Sequence, residues 1–252
     1  METLSSKYIN VNGSLLDLSV PCVMGILNIT PDSFYAGSRM QTEAEIAVRA
    51  QQILDEGAGI IDVGAYSSRP NAENVSPHEE MERLRMGLEI LRKTQPGAVI
   101  SVDTFRADVA RMCVEEYGVA IINDIAAGEM DTDMFRTVAE LNVPYIMMHM
   151  QGTPQNMQKH PHYDNLLKEV FLYFAQKVQQ LRDLGMKDII LDPGFGFRPL
   201  RRAGADALLQ FPEAVDIRQH MGIIKLFRNQ HVQHRKVHGV IGAGADEEKG
   251  VR

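Results

Sequence analysis

The feature of this sequence that most constrains its fold is a regular alternation of short apolar runs with longer amphipathic segments. Six runs are nearly continuous in apolar side chains, which is typical of strands buried on both faces of a sheet. They are Val23–Ile29, Gly59–Gly64, Val99–Asp103, Ala120–Ile125, Tyr145–His149 and Asp188–Asp192. Helical patterns lie between them, near residues 42–56, 76–93, 105–117, 131–141 and 163–184. Repeated strand–helix units predict a parallel sheet covered by helices.

The length of the chain favours closing that sheet into a barrel. A TIM (β/α)8 barrel takes roughly 250 residues, and this chain has 252. Six units are visible, so the last two would have to come from residues 198–252, where only Ile223–Phe227 and Val237–Ile241 are short apolar stretches. If neither forms a strand, the first and sixth strands are open edges. An open, doubly wound sheet is the alternative, but no glycine-rich dinucleotide motif follows the first strand.

The N-terminal residues predict a small accessory element. Tyr8–Val11 and Leu15–Leu18 flank Asn12 and Gly13. Asn-Gly between two short apolar runs is typical of a β-hairpin with a type I′ turn. We expect this hairpin to cover the floor of the barrel.

Composition and charge exclude several classes of protein. Hydrophobic residues make up 44% and charged residues 23%, with a net charge of −7, which is ordinary globular composition and argues against a nucleic-acid partner. No apolar run reaches the ~18 residues of a membrane span, and no secretory signal is visible. Cys22 and Cys113 are therefore expected to be buried, reduced thiols of a cytoplasmic protein.

The charge is divided unevenly along the chain. Residues 1–197 carry a balance of −11, whereas residues 198–252 carry +4. The strand and helix patterns also become vague after Phe197. We therefore predict a barrel body over residues 1–197 and a divergent basic tail over residues 198–252.

Polar residues collect where the predicted strands end. In a parallel barrel these ends share one face, which is where active sites lie in this architecture. They are Asn28, Asp62, Asp103, Asn123, Asp124, His149 and Asp192. Their oxygens suit a heterocycle with several N–H donors and a divalent cation. Two long loops, Ile29–Gln41 and Ala65–Pro77, add Arg39 and Arg69, which fit an anionic group of a substrate.

Six collinear segments resemble dihydropteroate synthase. They are MGILNITPDS (24–33), IDVGAYSSRP (61–70), SVDT (101–104), INDI (122–125), MHMQG (148–152) and LDPGFGF (191–197). The resemblance covers about residues 8–197. It implies a TIM barrel of folate biosynthesis, which joins 6-hydroxymethyl-7,8-dihydropterin diphosphate to p-aminobenzoate, giving 7,8-dihydropteroate and pyrophosphate. It further implies a homodimer and inhibition by sulfonamides, which mimic p-aminobenzoate.

The resemblance also implies roles for particular residues. Asn28 matches the Mg²⁺ ligand of the family, and Asp103 and Asp192 match its catalytic carboxylates. The residues that match the pterin-binding set of the family are Asp103, Asn123, Met148 and Asp192. The p-aminobenzoate pocket and its loops match Ser67, Ser68, Arg69, Pro70 and Phe197.

The family pattern stops after Phe197. Its Ser-Arg-Lys and Arg-x-His motifs, which bind pterin and diphosphate, have no counterpart at the expected spacing in residues 198–252. This predicts low turnover for the chain as written. Two alternatives to the synthase remain at this point, a pterin-binding methyltransferase domain and a non-enzymatic pterin-binding remnant.

Overall fold

The computed structural model of the chain describes residues 8–29, 39–66, 75–150, 163–194 and 224–227. The strands in these ranges are β1 Tyr8–Val11, β2 Ser14–Asp17, β3 Cys22–Asn28, β4 Ile60–Gly64, β5 Val99–Asp103, β6 Ile121–Asp124, β7 Tyr145–Met148, β8 Ile189–Asp192 and β9 Ile224–Phe227. The helices are α1 Arg39–Asp55, α2 Pro77–Thr94, α3 Ala107–Tyr117, α4 Met134–Leu141 and α5 Leu166–Asp183.

Seven strands form one parallel sheet in the order β8-β7-β6-β5-β4-β3-β9. The six predicted strands and the five predicted helices between them are therefore confirmed as an α/β arrangement of the barrel type. One of the two later apolar stretches does form a strand, Ile224–Phe227, and it pairs with β3, so the first strand of the barrel body is not an open edge. This strand falls within one of the two apolar stretches after residue 197. Among the described residues, β8 pairs with β7 alone.

Local hydrogen bonds explain where several helices begin. Ser76 caps α2, its hydroxyl accepting from the Glu79 amide at 3.2 Å, and proline follows it as predicted. The third helix begins at Ala107 rather than near residue 105, because the Thr104 hydroxyl accepts from the Arg106 amide and holds a turn there. The first helix begins at Arg39, three residues earlier than predicted.

The N-terminal hairpin lies where the sequence predicts it. Asn12 and Gly13 have φ values of 51° and 82°, as a type I′ turn requires. Ile9 and Val11 are buried in an inner core. They share it with side chains from the inner face of the sheet, including Met24, Ile60, Ile121, Ile146 and Ile190. A second, larger core lies between the sheet and the helices, so the polar strand ends are the part of the inner face left uncovered by the hairpin.

The expectation that both cysteines are buried, reduced thiols is met in part. Both cysteines are free thiols, Cys113 is buried and Cys22 is only half-buried. Burial raises the pKa of both thiols, which disfavours the reactive thiolate. In the described ranges, none of the helices has the length and apolar character needed to span a bilayer.

Candidate active site

The strand register brings three of the predicted site residues into one row, together with Gly64. Asn28 pairs with Gly64, Gly64 with Asp103, and Asp103 with Asn123. Because alternate residues of a strand share a face, all of them lie on the inner face of the curled sheet. Met148 and Asp192 pair with each other one step further out on the same face. The sequence-based prediction that these residues line a common hollow is in keeping with this register.

Gly64 leaves room between two oxygen atoms. A Cβ atom at this position would lie 3.2 Å from Asn28 Oδ1 and 3.8 Å from Asp103 Oδ2. The missing side chain therefore opens a small space that both oxygens border. Among the described residues, no group of three His, Cys, Asp or Glu side chains could hold a metal ion. An Mg²⁺ ion beside Asn28 fits this space only if phosphate oxygens and water complete its shell, which is how Mg²⁺ commonly binds.

Asn123 is held by a carboxylate beneath it. Its side-chain nitrogen donates to Asp62 Oδ2 at 3.1 Å, which fixes the plane of the amide. The amide oxygen of Asn123 takes no part in this hydrogen bond. Asp62 Oδ1 and the Ser101 hydroxyl are buried and make no hydrogen bond within the described ranges. Burial raises the pKa of Asp62 to about 6, although the neighbouring Ser101 and Asn123 side chains oppose the rise. The register places Asp62 and Ser101 one step below Gly64 and Asp103.

Asp192 is oriented by its own loop. The Gly194 amide donates to Asp192 Oδ1 at 2.8 Å, and Gly194 has a φ of +74°, a conformation that favours glycine. A side chain at Gly194 would also meet the His149 carbonyl oxygen at 3.2 Å. Burial raises the pKa of Asp192, and the hydrogen bond from Gly194 opposes the rise. The carboxylate keeps capacity to accept hydrogen bonds from a ligand.

An apolar cluster borders this polar row. Met148, Met150, Phe105 and Ala126 are buried together, and Tyr66 packs against them. The Tyr66 and Phe105 rings meet edge to face with centroids 5.0 Å apart. The sequence indicated Met148 but not the aromatic pair, because Tyr66 and Phe105 lie in different loops and meet only in the fold.

Two other strand-end residues serve the structure rather than the hollow. Asp124 accepts from the Tyr145 hydroxyl at 2.6 Å and from the amides of Ala126 and Gly128. It is completely buried, in the layer between sheet and helices. His149 packs against the rings of Tyr173 and Phe174, and burial lowers its pKa to about 4.

Other predicted residues cannot be placed. Five of them lie outside the described residues, namely Ser67, Ser68, Arg69, Pro70 and Phe197. Residues 30–38 of the other long loop, Ile29–Gln41, also lie outside them. Arg39 begins α1, but its side chain is likewise not described.

Comparisons with known proteins point to one family. Residues 24–227 match the family model described as pterin binding enzyme. The dihydropteroate synthase of Haemophilus influenzae is 39% identical over 188 residues, which cover 74% of this chain and 67% of that protein. The mitochondrial folate synthesis bifunctional protein of Pisum sativum is 41% identical over 222 residues, covering 85% of this chain but only 42% of that protein. The chain thus spans less than half the length of this bifunctional relative.

Comparisons with solved structures point to the same family. The dihydropteroate synthase of Yersinia pestis, in a complex with a sulfonamide drug, matches with a TM-score of 0.70 and 34% identity, over 87% of this chain and 78% of that one. That of Burkholderia cenocepacia, complexed with 7,8-dihydropteroate, matches with a TM-score of 0.63 and 33% identity, over 75% of this chain and 64% of that one. The match of the family model ends at residue 227, the last residue of β9.

Proposed function

The chain belongs to the family of pterin binding enzymes, and on that premise we propose that it is a dihydropteroate synthase of folate biosynthesis. The reaction joins 6-hydroxymethyl-7,8-dihydropterin diphosphate to p-aminobenzoate. A C–N bond forms between the amine nitrogen and the pterin methylene carbon, while the C–O bond to the diphosphate breaks. The amine gives up one proton, and pyrophosphate leaves with the electron pair of the broken bond.

One observation carries the proposal, namely the row of oxygen- and amide-bearing side chains on the inner face of the sheet. Asp103 and Asn123 are paired in register, and Asp192 lies one step outward on β8. The apolar cluster that contains Met148 borders them. A flat ring with N–H groups along one edge matches this combination, because its edge can bind the carboxylates while its faces contact apolar side chains.

The proposed roles follow from these positions. Asp192 accepts two N–H bonds from the amino-pyrimidine edge of the pterin, a bidentate geometry that discriminates against other rings. Asn123, whose amide plane Asp62 fixes, binds the same ring. Asp103 stabilises the positive charge that develops on the methylene as the diphosphate departs. When bound beside Asn28, Mg²⁺ supplies compensation for the negative charge of the leaving group.

The second substrate is assigned by resemblance alone. Ser67, Ser68, Arg69, Pro70 and Phe197 are proposed to form the p-aminobenzoate pocket and its loops, where sulfonamides would compete. A homodimer and a cytoplasmic location are part of the same proposal.

Turnover is predicted to be low. In the family, cationic residues of the Ser-Arg-Lys and Arg-x-His motifs bind pterin and diphosphate. Residues 198–252 have no such motifs at the expected spacing. Fewer cations near the diphosphate leave more of its developing charge unbalanced, which raises the barrier. The division into a body, 1–197, and a divergent tail, 198–252, remains a prediction.

The test is a steady-state assay of the purified chain with both substrates and Mg²⁺, which follows pyrophosphate release and 7,8-dihydropteroate. Asp192→Asn replaces one acceptor of the bidentate pair by a donor and should lower kcat/KM by roughly a hundredfold or more. Asp188→Asn is the matched control. Asp188 lies directly before β8, at the end of the strand opposite to Asp192. There its carboxylate accepts a hydrogen bond from the Asn10 amide at 3.0 Å. Its substitution should leave kcat/KM unchanged.

Two outcomes contradict the proposal directly, and a third would indicate a different enzyme. One is pterin binding, measured by calorimetry, without any condensation, which is the behaviour of a non-enzymatic remnant. The other is activity that survives Asp192→Asn unchanged, since the geometry would then assign the pterin edge to the wrong carboxylate. The third is pterin binding that stays the same when p-aminobenzoate, or Mg²⁺ with pyrophosphate, is added. That result would indicate the pterin-binding methyltransferase instead.

A further inference from the structure

Asp62 is a buried carboxylate in the layer of side chains directly below the polar row, inside the curled sheet. The strand register places it beside Ile26 and Ser101, and places Ser101 beside Ile121. Interior layers of a parallel barrel consist mostly of branched apolar side chains. A carboxylate that is 3% exposed is costly in such a layer. Packing alone therefore does not account for Asp62.

The side-chain hydrogen bond of Asp62 leads upward into the polar row. Its Oδ2 accepts from Nδ2 of Asn123 at 3.1 Å. Asp62 belongs to β4 and Asn123 to β6, so this hydrogen bond crosses over β5, which lies between those strands. Asn123 is itself buried, and its backbone carbonyl accepts from the Thr104 amide at 3.0 Å. Both the backbone and the side chain of Asn123 are thus held from other parts of the sheet.

The charge of Asp62 decides which atom of the Asn123 amide faces it. Burial raises the pKa of Asp62 to about 6, so the group is a carboxylate at neutral pH. A carboxylate has no hydrogen to donate and can only accept. The amide nitrogen of Asn123 therefore faces Asp62, and the amide oxygen lies on the other branch. An asparagine without a fixed acceptor beside it can turn over and exchange its donor for its acceptor.

We propose that Asp62 is a positioning residue, which acts through Asn123 and fixes the order of hydrogen-bond donor and acceptor that Asn123 presents to a ligand. The identity of that ligand, a pterin, rests on the proposed function, whereas the contact between the two side chains does not. Only one of the two amide orientations matches a given ring edge, so an amide that is free to turn loses part of the binding energy. The buried charge, which packing does not need, serves this selection.

The experiment is a double-mutant cycle in the full chain, with Asp62→Asn, Asn123→Ala and the two combined. Asparagine keeps the shape of Asp62 but can donate as well as accept, so it no longer selects one orientation of the neighbouring amide. Calorimetry measures the Kd of 6-hydroxymethylpterin for each protein, and urea unfolding at pH 7 measures its stability. Asp188→Asn is the matched control, because it makes the same change at the other end of the barrel.

Asp62→Asn should raise the Kd about tenfold, although the variant should be at least as stable as the wild type at pH 7. Added to Asn123→Ala, it should change the Kd by less than about twofold, because its effect passes through the missing amide. Asp188→Asn should leave the Kd unchanged.

A residue that only supports the fold would behave differently. Asp62→Asn would then lower the stability at pH 7, and its effect on the Kd would persist in the Asn123→Ala background. Either result overturns the inference. An unchanged Kd in Asp62→Asn or in Asn123→Ala also overturns it.

Nuclear magnetic resonance separates a failure of this inference from a failure of the proposed function. In a chain made with isotopically labelled asparagine, the side-chain amide signals of Asn123 are those that Asn123→Ala removes. They should move in Asp62→Asn and stay in place in Asp188→Asn, and signals that do not move in Asp62→Asn overturn the inference. A wild-type chain that does not bind the pterin contradicts the proposed function instead, and these signals alone then decide whether Asp62 holds Asn123.

Discussion

Replacing Asp62 with asparagine should remove a pH dependence of stability that the buried carboxylate creates. Asp62 is 3% exposed, and its described donor is Asn123 at 3.1 Å. Burial raises its pKa from 3.8 to about 6, against the opposing effect of Ser101 and Asn123. The folded chain therefore binds this proton more tightly than the unfolded chain. The free energy of unfolding contributed by this group falls as the pH rises between those two values and is constant on either side.

The magnitude follows from the size of the shift. A rise from 3.8 to about 6 corresponds to about 3 kcal/mol, since each pKa unit is worth about 1.4 kcal/mol. Asparagine has nearly the same shape and stays neutral at every pH. The difference in unfolding free energy between Asp62→Asn and the wild type should therefore grow by about 3 kcal/mol, in favour of the variant, between about pH 4 and pH 7.

Urea unfolding followed by circular dichroism at a series of pH values measures this difference. Groups that titrate elsewhere cancel between the two proteins, so the curve reports on Asp62. Asn123→Ser, which removes the donor, should move the upper end of the pH window above that of the wild type, because a carboxylate that loses a donor holds its proton more tightly. A difference that stays flat, or that turns in favour of the wild type as the pH rises, would refute the reasoning.

Two further predictions concern single contacts. Gly64→Ala should lower kcat/KM roughly tenfold or more while the chain still folds. The added Cβ would lie 3.2 Å from Asn28 Oδ1 and would displace the Asn28 side chain. A kcat/KM equal to that of the wild type would show that the space beside Gly64 is not used. Tyr145→Phe should lower the free energy of unfolding by about 1–3 kcal/mol in urea titrations, because it removes the 2.6 Å hydrogen bond to the buried Asp124; an unchanged midpoint would show that Asp124 does not need this donor.

Much of the fold could be predicted from local patterns. Strands buried on both faces read as continuous apolar runs, and helices carry start and stop signals within a few residues of each end. The Ser76 cap and the Asn12-Gly13 turn depend on neighbours in sequence, and both are as predicted. The position of polar residues at strand ends is also local information. It predicts which end of the barrel holds the candidate site.

The short strand after residue 197 shows where local patterns were too weak. Ile224–Phe227 has only four residues and follows a stretch without clear periodicity. Its place in the sheet depends on β3, about two hundred residues earlier in the chain. Long-range pairing can stabilise a strand whose own sequence is a poor guide.

The sequence by itself determined the order of the strand–helix units and the chemistry available at the strand ends, because both depend on periodicity and on residue types. Only the tertiary structure decided how those residues are used. Asn123 and Asp124 are adjacent and similar, yet Asn123 bonds to Asp62 on the inner face while Asp124 bonds to Tyr145 behind the sheet. Likewise, Arg106 meets Glu80 across 26 residues of chain. Strand register and helix packing set these contacts, and no local pattern records which distant backbone or side chain will lie opposite.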